Sequence, residues 1–320
     1  MKGTLTTSLA FTFAVAAATV IAALPQPKGT IPYSFYSLEF QAQLAKNKAA
    51  IQGKPYAKYF DPELYVYPEM INPGRNEIDC PTQAMKPDLS DINALNVPAT
   101  TTLPVENGWC AYSDGSAYVA SRTHFPGATG EQAQWWLWWH SAESARYSLW
   151  HPYAHVSVAS SFANKFNDTS LNATQKLYGS VHHITEIIQE VQESIDIHWY
   201  PPSHFGLDES KFAANGIVAA GCGEIYIGNN TPIKAINMIH LWYQTADGLD
   251  LRSRYYIANN VQLDIPIIGK LIPINTLANL FGIKKIVAGR NIAMLQFHHD
   301  QQEFTHLSAF LPDIYQEFGP

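Results

Sequence analysis

The densest run of chemically capable side chains lies near the C-terminus, at Phe297-His298-His299-Asp300-Gln301-Gln302-Glu303-Phe304-Thr305-His306. His299 and Glu303 are four residues apart, so on a helix they share a face and can point at one metal ion. Leu295, Leu307 and Phe310 make the neighbourhood apolar. An inward-facing imidazole and carboxylate there would need an ion or hydrogen bonds to offset the loss of water. The plainer alternative is a His and a Glu satisfied on a helix surface. A second set, His140, Glu143 and Arg146, advances in steps of three after Trp135-Trp136-Leu137-Trp138-Trp139 and would form a polar stripe on an apolar helix. Its plainer alternative is a histidine packed among indoles beside a Glu143–Arg146 surface pair. The third is His182-His183-Ile184-Thr185-Glu186, with His198 further on. Adjacent residues of a strand face opposite ways, so at least one of His182 and His183 is expected to meet solvent.

None of these spacings matches a zinc finger or the HExxH pattern, and there is no Gly-x-Ser-x-Gly elbow or Walker loop. Serine hydrolases and nucleotide-dependent enzymes therefore lose support. The net charge of -7 and the lack of long basic runs argue against a nucleic-acid partner. Charged residues are only 15% of the chain, too few for a helical rod or a disordered protein. Five of the eight Trp fall between Trp135 and Trp150, a concentration of flat apolar surface suited to an apolar or aromatic small ligand.

The elements that must position these groups follow from periodicity. Residues 24–114 read as an N-terminal wrapping segment rich in loops, with one helix around Leu38–Ile51. Beyond Gly115, helical spacing predicts a helix over Gly130–Trp150. Ile195, Ile197 and Trp199 alternate as in a strand, and Ile217–Ile227 is another, its glycines at 221 and 223 suggesting a bend or bulge. Ala235–Thr245 and Leu249–Ala258, joined by Ala246-Asp247-Gly248, form a predicted hairpin with Met238, His240, Trp242 and Gln244 on one face. A final helix is expected over Ile292–Glu317, interrupted at Pro312. Helix, antiparallel strands and a long C-terminal helix, in that order, make an α+β domain over 115–320 in which a curved sheet grips a helix and leaves a cavity. No internal repeat supports a solenoid or propeller.

Residues 1–23 read as a signal peptide, an uncharged apolar run from Leu9 to Ala23 ended by Leu24-Pro25-Gln26-Pro27. The run is shorter than the ~20 residues that span a bilayer, so stable membrane insertion after cleavage is not expected, although a retained anchor is the alternative. Asn167, Asn172 and Asn229 head glycosylation triplets consistent with secretion. Cys80, Cys110 and Cys222 allow one disulfide in an oxidising compartment, and Cys80 with Cys110 is the expected pair. The low charge is also consistent with a homodimer.

In combination, these fragments resemble the zinc-dependent 2,4-diacetylphloroglucinol hydrolases, to which phloretin hydrolases are similar. The run from Trp135 to Trp150 resembles the family's tryptophan-rich helix, with a metal histidine at His140. Tyr178-Gly179-Ser180-Val181-His182-His183-Ile184-Thr185-Glu186 resembles the segment that supplies a second ligand, Glu186. His299 and Glu303, followed by Leu307-Ser308-Ala309-Phe310-Leu311-Pro312, resemble the helix that supplies the other two. The likeness implies a helix-grip, Bet v1-like α+β domain with an added N-terminal helical part, a Zn2+ ion, and hydrolysis of the carbon-carbon bond between an acyl group and an electron-rich phenolic ring. His240 is then the candidate proton donor to the ring, Glu143 the group that orients or deprotonates water, and Tyr255 a hydrogen-bond partner for a phenolic oxygen. Two alternatives stay open: a cyclase, lyase or isomerase acting on a phenolic polyketide or terpenoid in the same pocket, and a non-catalytic carrier of hydrophobic ligands.

Overall fold

The computed structural model describes residues 23–34, 36–81, 89, 91–188, 191–264 and 289–320. The expected leader therefore lies outside the described residues, apart from Ala23. The period-two stretches form one antiparallel sheet. Its strands are β3 (Gly108–Ala111), β4 (Ala117–Pro126), β5 (His155–Ser160), β6 (Val181–Ile188), β7 (Val191–Tyr200), β8 (Ile217–Ile227), β9 (Ile233–Gln244) and β10 (Gly248–Leu263). They lie in the order β3-β4-β10-β9-β8-β7-β6-β5. The predicted hairpin is β9 with β10, and Ser253 faces His240 across it. Two short strands, β1 (Ile31–Tyr33) and β2 (Leu64–Val66), pair separately.

Both faces of the sheet are covered, for different reasons. On one face Met238, Trp242, Leu251, Tyr255 and Ile257 join a core with the helices α3 (Gly130–Trp139), α4 (Ser144–Trp150), α6 (Gly289–Ser308) and α7 (Leu311–Phe318). On the other, Ile239, Leu241, Tyr243 and Tyr256 pack under Ile92, Leu95, Leu103 and Phe205, which come from short 3-10 turns and a loop. Arg252 and Arg254, alternating with the apolar set, are buried on this second face. Arg252 donates to Thr101 O at 2.6 Å and to Glu106 at 2.8 Å, and Arg254 donates to Val105 O at 3.0 Å. Charge-assisted bonds of this kind fasten the irregular chain before β3 to the sheet, and each guanidinium carries several donors for the purpose. Cys80 and Cys110 form a disulfide in the same region, and Cys222 is a buried free thiol.

The α+β class and the gripped C-terminal helix match expectation. Helix α1 (Leu38–Ile51) stands where predicted, capped by Ser37, whose hydroxyl accepts from Phe40 N. Pro312 sits in the first turn of α7, so it ends one helix and starts the next. The long helix expected over Gly130–Trp150 is two. A capping box between Thr129 and Gln132 starts α3. The chain then tightens into a 3-10 turn at His140–Ala142 and becomes extended at Glu143 (φ −159°, ψ 150°) before α4 begins. The glycines of β8 do not mark its irregularities, which fall between Ile217 and Ala219 and between Ile225 and Tyr226. Gly221 instead makes room for α3: a Cβ there would lie 2.8 Å from Leu137.

Candidate metal centre

Strand pairing and one helix turn bring together residues 144 positions apart. His155 opens β5, and the register sets it opposite Glu186 on β6. His299 and Glu303, one turn apart on α6, meet them from the core side of the sheet. The ligating atoms of His155, His299 and Glu303 all lie within 4.8 Å of one another, and all three residues are buried. Glu186 Oε2 is 3.6 Å from His299 Nε2, the same distance as Glu303 Oε2, and His155 Nε2 is 3.3 Å from Glu303 Oε2.

The protonation pattern of this group is that of a ligand set. His155 Nδ1 lies 2.9 Å from the carbonyl of Tyr147, which can only accept, so Nδ1 carries the proton and Nε2 presents a lone pair. Burial, with His299 and His151 nearby, pushes the imidazole pKa of His155 well below its ordinary value. Burial lowers His299 to about 4. It raises Glu186 to about 7, against a hydrogen bond from Tyr147, and together with Asp300 and Glu186 it raises Glu303 well above the usual range. Among the described residues no Lys or Arg pairs with Glu186 or Glu303. Neutral imidazoles thus face carboxyls that burial drives toward the protonated form, and a divalent cation bound there would take the place of those protons. Two imidazoles with carboxylate oxygens suit a divalent transition-metal ion.

Beside this group, on the same side of the sheet, stands a second set. The Tyr255 hydroxyl donates to Asp300 Oδ1 at 2.8 Å and lies 3.5 Å from His240 Nε2. His240 Nδ1 is 2.9 Å from Ser253 Oγ. Burial lowers His240 to about 3 and, with the carboxylates around it, raises Tyr255 far above the usual phenol value. Asp300 rises to about 6 because it is buried, although Ser121, Tyr255 and Ser253 bond to it. At neutral pH the set is therefore a neutral imidazole and a neutral phenol, both enclosed.

Two of the expected site residues stand elsewhere. His140 is buried among the rings of Trp136, Tyr147, Trp150 and His182, with Nδ1 2.7 Å from the Trp136 carbonyl, and it is not in the converging group; His155 is there instead. Glu143 lies against Lys54 at 2.6 Å, near Arg146 at 3.4 Å and in hydrogen bond with Tyr56, a third of its side chain exposed. The physical reason is the break in the tryptophan helix. Steps of three from His140 hold only while the helix continues, and Glu143 is extended backbone that turns outward. Glu186, His299, Glu303, His240 and Tyr255 do come together. His155, Tyr147 and Asp300 went unread. Tyr147 stacks on His155 at 3.7 Å and donates to Glu186 at 3.1 Å. The only sequence signals were the His151-to-His155 spacing and the position of Asp300 next to His299; His182 is buried and His183 half-buried, as strand alternation requires.

An antiparallel sheet gripping a helix, with a buried His and Glu cluster beside an enclosed His–Tyr–Asp set, defines a class of proteins with a candidate metal centre in the interior. The chain belongs to the 2,4-diacetylphloroglucinol hydrolase family. The model of the "DAPG hydrolase PhiG domain" matches residues 85–316. The 2,4-diacetylphloroglucinol hydrolase of Pseudomonas protegens is 30% identical over 299 residues, covering 92% of this chain and 94% of that protein. The phloretin hydrolase of Eubacterium ramulus is 31% identical over 211 residues, covering 66% of this chain and 71% of its own length. Among solved structures, Ara h 8.0201 aligns with a TM-score of 0.28 at 9% identity, covering 52% of this chain and 92% of that one. A Thalictrum norcoclaurine synthase aligns with a TM-score of 0.26 at 10% identity, covering 58% and 98%.

Proposed function

We propose that the chain is a zinc-dependent hydrolase that cleaves the carbon-carbon bond between an acyl group and an electron-rich phenolic ring. The observation that carries this reading is the convergence of His155, Glu186, His299 and Glu303 beside Tyr255, His240 and Asp300. The named activities of the relatives, hydrolases of a diacetylated phloroglucinol and of phloretin, support it.

An aryl carbanion is too poor a leaving group for direct cleavage. The ring carbon bearing the acyl group must first take a proton, making a non-aromatic ketone whose carbon-carbon bond can break with its electrons returning to the ring oxygen. His240 is suited to that transfer. Buried and neutral, its imidazole can relay a proton from a phenolic hydroxyl to the ring carbon. Tyr255, whose proton goes to Asp300, can accept a hydrogen bond from a phenolic hydroxyl and fix the ring. Water then adds to the acyl carbonyl, the carbon-carbon bond breaks, and a carboxylic acid and the deacylated phenol leave. A zinc ion held by His155, Glu186, His299 and Glu303 would supply Lewis-acid stabilisation of charge developing on oxygen. Tyr147 fixes this ligand set by donating to Glu186 and by accepting from His155.

The test is turnover of acylated phloroglucinols in heavy-oxygen water, with mass analysis of the products. Release of a carboxylic acid carrying solvent oxygen is expected. A product of unchanged mass overturns the reaction in favour of cyclisation or isomerisation. We also place the mature chain, cleaved after Ala23, in the secretory pathway, a reading supported by the Cys80–Cys110 disulfide; N-terminal sequencing of protein from its natural source tests it.

A further inference from the structure

Asp61, just before β2, is a buried carboxylate with no Lys, Arg or His paired to it among the described residues. Its Oδ1 accepts from Glu63 N at 2.9 Å and its Oδ2 from Leu24 N at 2.6 Å. Two amide donors are a weak offset for a charge taken out of water, and a cation is a stronger one. The nitrogen already in contact can become that cation. Removal of the leader after Ala23 makes Leu24 the amino terminus and turns its amide nitrogen into an α-ammonium.

The surroundings are short of positive charge. Leu24 lines an open cavity of about 570 Å3 with Lys58, Tyr59, Asp313 and Glu317. Lys58 is the only cation among the lining residues, and Glu317 engages it at 2.6 Å. The chain around Leu24 is also held in place. Its side chain packs against the main core. Three residues on, Pro27 O accepts from Thr30 N at 3.2 Å and from Thr30 Oγ at 2.6 Å, in a turn that passes through Gly29 at φ 85° and leads into β1. Tyr33, at the end of β1, bonds Gln302 of α6, next to Glu303 of the ligand cluster. Ten residues thus connect the Leu24 nitrogen to the helix that carries the site.

We infer that the α-ammonium of Leu24, created by cleavage after Ala23, forms a buried ion pair with Asp61 that locks the wrapping segment onto the domain. The inference rests on the processing reading above and gives the cut site a structural role. One residue more at the terminus restores the amide at Asp61 and moves the charge away by up to about 3.8 Å. One residue fewer removes the contact altogether.

The first measurement is the amino-terminal residue of the protein from its natural source; a start other than Leu24 overturns the processing reading and the pair together. Chains made to begin at Leu24 and at Ala23 are then compared, each with Asp61 and with Asp61→Asn. With Asp61 in place, the Leu24 start melts about 3 °C or more above the Ala23 start at pH 6. The gap vanishes in Asp61→Asn. It also vanishes by about pH 10, because pairing raises the ammonium pKa: its contribution is present below the ~8 of a free α-amino group and lost as pH rises through the folded value. Glu63, Lys58, Asp313, Glu317 and the phenols of Tyr59, Tyr65 and Tyr153, the other ionisable groups around the pair, are common to both chains and cancel in the comparison. At pH 8 cyanate carbamylates the Leu24 amine about fivefold more slowly with Asp61 than with Asp61→Asn, a readout of charge and not of packing. Equal melting of the two starts at pH 6, a gap unchanged in Asp61→Asn, or equal carbamylation overturns the pair and leaves the cut site standing. If Asp61→Asn does not fold, the pH series on the unsubstituted chains decides: a gap at pH 6 that closes by pH 10 upholds the pair, and a gap independent of pH refutes it.

Discussion

Replacing His155 or His140 by Ala separates two histidines that the sequence does not distinguish. His155 Nε2 stands among the atoms that meet within 4.8 Å, whereas His140 bonds Trp136 and packs between indole rings. Groups that merely orient a ligand are worth 10- to 100-fold in metal affinity, so loss of the His155 ring itself is expected to weaken binding by at least about 100-fold, ~2.8 kcal/mol. Metal present at about 100 times its dissociation constant stabilises the folded chain by ~2.7 kcal/mol. At roughly 2 °C per kcal/mol for a chain of this size, a chelator should lower the wild-type melting temperature by about 5 °C and barely move His155→Ala. His140→Ala should lose about 2–4 kcal/mol of stability through the cavity it leaves, yet keep its metal and its response to chelator. Elemental analysis of gel-filtered protein and thermal scans with and without chelator read both effects. A His155→Ala protein that keeps full metal while His140→Ala loses it would refute the assignment.

Three further outcomes follow from the same contacts. Tyr255→Phe removes the hydroxyl that bonds Asp300 and approaches His240, and kcat should fall about 100-fold with little change in ketone affinity, measured by steady-state kinetics beside equilibrium titration. Glu143→Gln weakens the cluster with Lys54, Tyr56 and Arg146 on the protein surface, so denaturant unfolding should report a loss of about 1 kcal/mol or less while turnover stays near wild type. Asp250→Asn should change how stability depends on pH. Burial by itself would raise the Asp250 carboxyl, but hydrogen bonds from His124 and Arg122 outweigh it and hold the pKa below its ordinary 3.8; the same bond to Asp250 raises His124 above 6.5. The Asp250 contribution is present above its unfolded pKa and lost as pH falls through the folded one, and the His124 contribution is present below 6.5 and lost as pH rises through its folded value. The stability gap between wild type and variant, about 1–2 kcal/mol for partly exposed partners, should therefore be widest between roughly pH 4 and 6.5 and narrow at pH 8. A gap that widens steadily from pH 5 to 8 would contradict this.

Local pattern carried much of the architecture. Alternation in Ala235–Thr245 and Leu249–Ala258 with a Gly-containing turn required a hairpin, and the hairpin forms with His240 and Tyr255 on the face that meets the core. The i, i+4 relation of His299 and Glu303 needed only a helix to put both at one point, and α6 supplies it. These readings succeed because strand and helix periodicities are properties of the nearest few residues.

What the sequence could not decide was which distant side chains face the same point. His155 reaches the cluster because β5 pairs with β6 in a register that sets it opposite Glu186, and nothing within either strand specifies that register. Glu143 left the cluster because the helix after Trp139 tightens and breaks, with Lys54 and Tyr56, nearly ninety positions away, holding the carboxylate on the outside. The amino-acid order by itself determined most of the elements, the family and the kinds of group available for chemistry. Tertiary structure alone chose between His140 and His155, since both are buried histidines near the same tryptophans and only the pairing of strands aims one lone pair at Glu303.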